Sequence, residues 1–166
     1  MSGAVYFVTF VTAERTPWLG TESARAVMLE TLREWHLEAD GAILAANVMP
    51  DHVHVLFVLG HRLNVGRCVS RWKSQARKLA GYIGDWQRDF WEHRLRAEES
   101  QEDYGLYIFL NPYRARLLPC DAAWSGSWVP EPDRFRFTTS LGGNGAPPRE
   151  WMDWPEEKFT SLATGE

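Results

Sequence analysis

Short apolar runs alternate with stretches of helical periodicity along the first two thirds of the chain. Residues 4–12 (AVYFVTFVT) are β-branched and aromatic and predict a buried strand. Thr21 is placed to cap a helix with Glu22 in its first turn, and Ala24, Val27, Met28, Thr31, Leu32 and Trp35 then recur at helical spacing. Residues 42–49 (AILAANVM) and 52–59 (HVHVLFVL) read as two strands. Between them Pro50-Asp51 is a turn signal, so the pair forms a tight hairpin. Asn64 opens a second helix with an apolar face of Val65, Val69, Trp72, Ala76 and Leu79, and Gly81 stops it. Residues 90–96 (FWEHRLR) alternate loosely and predict a fourth strand. Ser100 with Asp103 resembles a capping box that opens a third helix, running to about Leu110, with Pro112 ending or kinking it.

The predicted order is β-α-β-β-α-β-α. Its first six elements spell an α+β, ferredoxin-like split βαβ arrangement, an antiparallel sheet with helices on one face, to which the third helix is added. From Pro119 onward Pro, Gly, Ser and Trp dominate, which predicts an irregular, Trp-rich tail that wraps the domain. The expected organisation is therefore a domain over residues 1–118 and a packed tail over 119–166.

A chain of 166 residues with 45% hydrophobic and 24% charged residues is an ordinary globular mixture, long enough to fold without disulfide or metal. Cys68 and Cys120 form no CxxC, so neither a zinc nor a secreted disulfide pattern is present. The N-terminal stretch has neither a basic lead nor a long apolar run, which predicts a cytoplasmic protein with no membrane partner. The net charge of −4 gives no global reason to expect nucleic acid. The distribution changes that picture. Six of the 18 basic residues fall between Arg62 and Lys78, where no Asp or Glu occurs, so a local basic stripe sits on an acidic protein.

His52 and His54 stand at i and i+2 of a strand, on one face, where two imidazoles can converge on one ion; Val53, Val55 and Phe57 point into the helix-covered core. That places the histidines on the open face of the sheet. Tyr107 and Asn111 stand at i and i+4 of the third helix, again on one face. Tyrosine is a poor nucleophile at neutral pH, but it can attack a phosphodiester when a metal polarises the phosphoryl oxygen. Asn111 offers a side-chain oxygen as a third ligand, and the set suits Mg²⁺ or Mn²⁺. The second helix carries Arg67, Arg71, Lys73, Arg77 and Lys78 away from its apolar face, placed to contact backbone phosphates. Arg94 and Arg96 on the fourth strand extend that basic set. Each feature alone also has a plain structural explanation: exposed histidines, a core tyrosine before an Asn-Pro stop, a solvated helix face.

In combination, MPDHVHVLF, SRWKSQARKLAG, FWEHRLR and YIFLNPYRARLL, in this order and spacing, resemble the REP-associated tyrosine transposases, single-tyrosine HUH nucleases related to the transposases of small insertion sequences. The resemblance runs from about Ala4 to Leu118. It implies a ferredoxin-like core, His52 and His54 as the metal pair, Asn111 as a third ligand and Tyr107 as the nucleophile. Asn111 departs from the Gln common in insertion-sequence relatives. The implied reaction cleaves single-stranded DNA beside an imperfect hairpin, leaving a 5′-phosphotyrosine and a free 3′-OH, with no need for ATP. Relatives act as monomers or as helix-swapped dimers, and the sequence leaves that choice open. Two competing expectations are a catalytically silent, domesticated hairpin-DNA binding protein and an unrelated ferredoxin-like metal or small-molecule protein.

Overall fold

A computed structural model describes residues 3–38 and 40–166. The elements follow the predicted order: β1 (Val5–Val11), α1 (Glu22–Glu38), β2 (Ala42–Val48), β3 (His52–Val58), α2 (Val65–Leu79), β4 (Trp91–Arg94), α3 (Gln101–Arg114) and β5 (Ser127–Trp128). The sheet order is β4-β1-β3-β2-β5 with every pair antiparallel. Its four long-range partners form the ferredoxin-like arrangement, and β5 from the tail adds a fifth strand at the edge. No helix among the described residues is long and apolar enough to cross a membrane.

Alternation in the central strands sorts side chains into two cores. Val8, Phe10, Val53, Val55 and Phe57 face α1 and α2, where Met28, Leu32, Trp35, Val69 and Trp72 pack against them. Phe7 and Leu56 face the other way, under α3 and the tail. In β2 a bulge between Ile43 and Ala45 leaves Leu44 without a partner in β3. The extra residue lets Leu44 and Ala45 both serve the second core, while Ile43 and Ala46 serve the first. A strand buried on both faces explains why this stretch reads as one continuous apolar run.

Four expectations are corrected. The histidine face is not open: α3 and the tail cover it with a second core that includes Tyr104, Ile108, Phe135, Phe137 and Phe159. The tail closes this face chiefly with phenylalanines, while Trp151 and Trp154 stay partly exposed. In α2 the apolar stripe uses Cys68, which is fully buried, and Leu79 is half exposed. Helix α3 runs through Pro112 to Arg114.

The last correction has a local cause. Proline lacks the N–H that would bond the carbonyl four residues back, here Ile108. Asn47 of β2 supplies the missing donor: its Nδ2 donates to the Ile108 carbonyl at 2.8 Å. A strand side chain thus completes the helix ladder, so the helix continues and is tied to the sheet at the level of the histidines, since Asn47 pairs with His54.

Candidate active site

The Pro50-Asp51 turn starts β3 on His52, and the strand period brings His54 beside it, with ring centroids 4.7 Å apart. Each imidazole is held by its Nδ1. His52 Nδ1 lies 2.7 Å from Asp51 Oδ1 and donates to that carboxylate. His54 Nδ1 lies 2.8 Å from Thr9 Oγ1, across the β1–β3 ladder where Thr9 and His54 are paired. With both Nδ1 atoms engaged, the ring nitrogen left to meet a ligand on each histidine is Nε2, the arrangement that metal-bound histidines use. Both Nε2 atoms are buried and have no hydrogen-bond partner. Leaving a buried polar atom unpaired costs about 1–3 kcal/mol, so two side by side point to a ligand that satisfies them.

A carboxylate completes the cluster. Glu166 Oε1 lies 3.5 Å from Nε2 of each histidine, and the three ligand atoms fall within 4.8 Å of one another. Two neutral imidazoles and one carboxylate fit a divalent ion with open positions. The second oxygen of Glu166 accepts a hydrogen bond from the Tyr107 hydroxyl. Tyr107 enters from α3, packed edge-on against His54, Phe7 and Phe159 at 5.7, 6.1 and 5.7 Å between ring centroids. The Arg114 guanidinium sits 5.8 Å from the Tyr107 ring centre.

The electrostatics follow from this packing. Burial, joined by the charge and hydrogen bond of Glu166, pushes the Tyr107 phenol well above its ordinary value. The His54 imidazole, 3.5 Å away, leads the effects that hold Glu166 down at about 2, against the opposing effect of burial. Burial also lowers His54, and the charge of His52 adds to this against the pull of Glu166. Burial works to raise Asp51, but hydrogen bonds from His52 and Arg15 prevail and hold it below the carboxylate range.

Of the residues expected to form the site, His52, His54 and Tyr107 are brought together. Asn111 lies one turn beyond Tyr107 on the buried side of α3. The basic set is placed elsewhere. Helix α2 packs on the opposite face of the sheet. There Arg71 pairs with Glu38, Arg77 with Asp85, and Lys73 donates to the carbonyls of Gln87, Arg88 and Asp89. Arg67 and Lys78 are exposed on that helix. Arg94 pairs with Tyr6 and so shares the α2 face, and Arg96 is exposed just past β4.

Glu166, Thr9 and Arg114 escaped the sequence reading. Thr9 is the residue that the antiparallel register sets opposite His54, so a strand alignment would have found it. Glu166 is 59 positions from Tyr107 and belongs to no motif; nothing local marks it.

Residues 1–106 match the family model described as IS200-like transposase, and the chain belongs to that family, a class of enzymes that cut DNA. Among its relatives, a Haemophilus influenzae protein named as a REP-associated tyrosine transposase is 25% identical over 140 residues, spanning 74% of this chain and 77% of that one. The solved structure of a REP-associated tyrosine transposase bound to a REP hairpin shares the fold, with a TM-score of 0.65 at 22% identity over 100% of this chain and 93% of that one.

Proposed function

We propose that this transposase cleaves and rejoins single-stranded DNA beside an imperfect hairpin, using Tyr107 as nucleophile and a divalent ion held by His52, His54 and Glu166, with Asn111 as a further oxygen donor. The observation that carries the reading is the pair of buried Nε2 atoms converging on a carboxylate that also accepts from the hydroxyl of Tyr107. Residues 1–118 carry the tyrosine and the two histidines in this reading, and the tail completes the site with Glu166.

The chain's own residues account for the order of events. At rest, burial keeps the Tyr107 phenol protonated and unreactive. Held by His52, His54 and Glu166, an ion such as Mg²⁺ or Mn²⁺ would supply positive charge that lowers the phenol and polarises the scissile phosphoryl oxygen. Glu166 spans the centre, one oxygen toward the histidines and the other accepting the Tyr107 proton's hydrogen bond, which aims the phenol oxygen. Attack forms the Tyr107 Oη–phosphorus bond and breaks the bond from phosphorus to the 3′ oxygen. The phenolic proton is released to solvent, and the 3′ oxygen takes up a proton from solvent. Attack by a 3′-OH on the phosphotyrosine reverses the sequence and rejoins DNA, so no nucleotide triphosphate is consumed. Arg114, beside the tyrosine ring, is positioned to meet the phosphate charge.

The test incubates single-stranded hairpin oligonucleotides with Mn²⁺ or Mg²⁺ and wild-type or Tyr107→Phe protein, followed by a denaturing gel. A metal-dependent protein–DNA adduct that vanishes in the variant is expected. Salt-sensitive hairpin binding without an adduct would overturn the catalytic reading in favour of a binding protein.

A further inference from the structure

We infer that the cavity beside Tyr107, between the end of α3 and residues 151–159 of the tail, is a subsite that holds one unpaired base of the DNA strand the tyrosine attacks. The inference deepens the function proposed above and rests on it.

Position comes first. The cavity has a volume of about 430 Å³, and Arg114 and Phe159 stand in its wall. Both also touch the nucleophile: the Phe159 ring centre is 5.7 Å from that of Tyr107, and the Arg114 guanidinium is 5.8 Å from it. The space is therefore one side chain away from the ring of the nucleophile. A strand laid with its phosphate at Tyr107 brings a neighbouring nucleotide to this opening.

The chemistry of the wall suits a base. Trp151 and Trp154 line it as a stacked pair, 5.0 Å between centroids and 20° from parallel, and both remain partly exposed. Indole faces of this kind stack on unpaired bases regardless of sequence. The Lys158 ammonium lies 4.1 Å above the Trp154 ring, and Arg114 and Arg116 line the same cavity. Among the described residues the salt bridges engage Arg15, Arg33, Arg62, Arg71, Arg77 and Arg134, but none of these three cations. They are left for a negatively charged backbone. Glu156, the acid in the wall, offers an acceptor to a base edge that carries an amine.

An independent sign comes from the backbone. Arg116 follows the last turn of α3 in the left-handed region, at φ 57°. Its N–H closes on the Tyr113 carbonyl, and that of Leu117 on the Pro112 carbonyl, a helix ending at which glycine is the usual residue. A cation is kept here in a conformation that side chains disfavour, and its side chain lines the cavity.

The test measures binding without divalent metal, so that no cleavage intervenes. The probes are a hairpin with a single-stranded flank, the same hairpin without it, and flanks carrying one abasic site at each position in turn. Wild-type protein should prefer the flanked hairpin and lose affinity about tenfold at one abasic position. Trp154→Ala should show the same loss on the intact flank, no added loss at that abasic position, and unchanged binding of the unflanked hairpin. Arg116→Gly, which relieves the left-handed backbone, should raise the melting temperature while weakening flank-dependent binding. If Trp154→Ala binds the intact flank as tightly as wild type, or still loses tenfold at the abasic position, the subsite is overturned while hairpin binding stands. If wild-type protein binds neither hairpin, the substrate reading falls and this inference falls with it.

Discussion

Gly105 sits in the interior of α3, two residues before Tyr107, where glycine is disfavoured relative to alanine by about 0.8–1 kcal/mol. On helix grounds alone Gly105→Ala should stabilise the protein. The packing reverses that sign. A Cβ at this position would lie 2.4 Å from Cε1 and 2.8 Å from Cδ1 of Phe135, far inside contact distance. The ring has little room to retreat: Phe135 is 1% exposed, and the Phe137 ring centre is 5.4 Å away. Overpacking of this kind costs about 1–3 kcal/mol, so a net loss of up to about 2 kcal/mol is expected after the helix gain is subtracted. For a chain of this size that lowers Tm by up to roughly 8 °C. Thermal unfolding of wild type, Gly105→Ala, Phe135→Leu and the double variant forms a cycle that isolates the contact. With the smaller leucine at 135, the same alanine should become neutral or stabilising. A higher Tm for Gly105→Ala in the wild-type background would refute the reasoning, and would mean that the glycine serves movement of the tyrosine helix instead of the approach of the tail.

Three further outcomes are expected. Thr9→Val removes the partner of His54 Nδ1 and should weaken divalent-metal affinity about 10–100-fold by titration calorimetry, whereas unchanged affinity would show that Thr9 does not orient the ring. Asn47→Ala strips the donor from the Ile108 carbonyl and should cost about 1–3 kcal/mol in urea unfolding; combining it with Pro112→Ala, which returns a backbone N–H to that carbonyl, should recover part of the loss. Asp40 accepts from the N–H groups of His61 and Arg62, both at 2.8 Å. Burial acts to raise its carboxyl, but these bonds and the nearby positive charges prevail and hold it below the ordinary value. Its contribution is therefore full above the unfolded carboxylate range and fades as pH falls through the lower folded value, so the stability gap between wild type and Asp40→Asn should close in acid and stay constant near neutrality.

Local pattern determined much of this protein. The strand and helix periods, the Asn64 and Ser100 caps and the Pro50-Asp51 turn placed seven elements in order, because each is decided by residues within a few positions of one another. The same locality put His52 with His54 on one strand face and Tyr107 with Asn111 on one helix face. What joins those pairs is not local. The histidine face is buried because α3 and three distant phenylalanines fill it, and helix α3 survives Pro112 because Asn47, 61 positions from Ile108, replaces the lost donor. The carboxylate at the centre comes from Glu166, and no sequence period links it to the strand it meets. Basic residues on α2 were conspicuous in the sequence, yet the sheet separates them from the tyrosine, since the face a helix takes depends on crossover geometry and not on its own charges. Side-chain chemistry could be read along the chain; convergence on one point in space required the packing of the tail against the sheet.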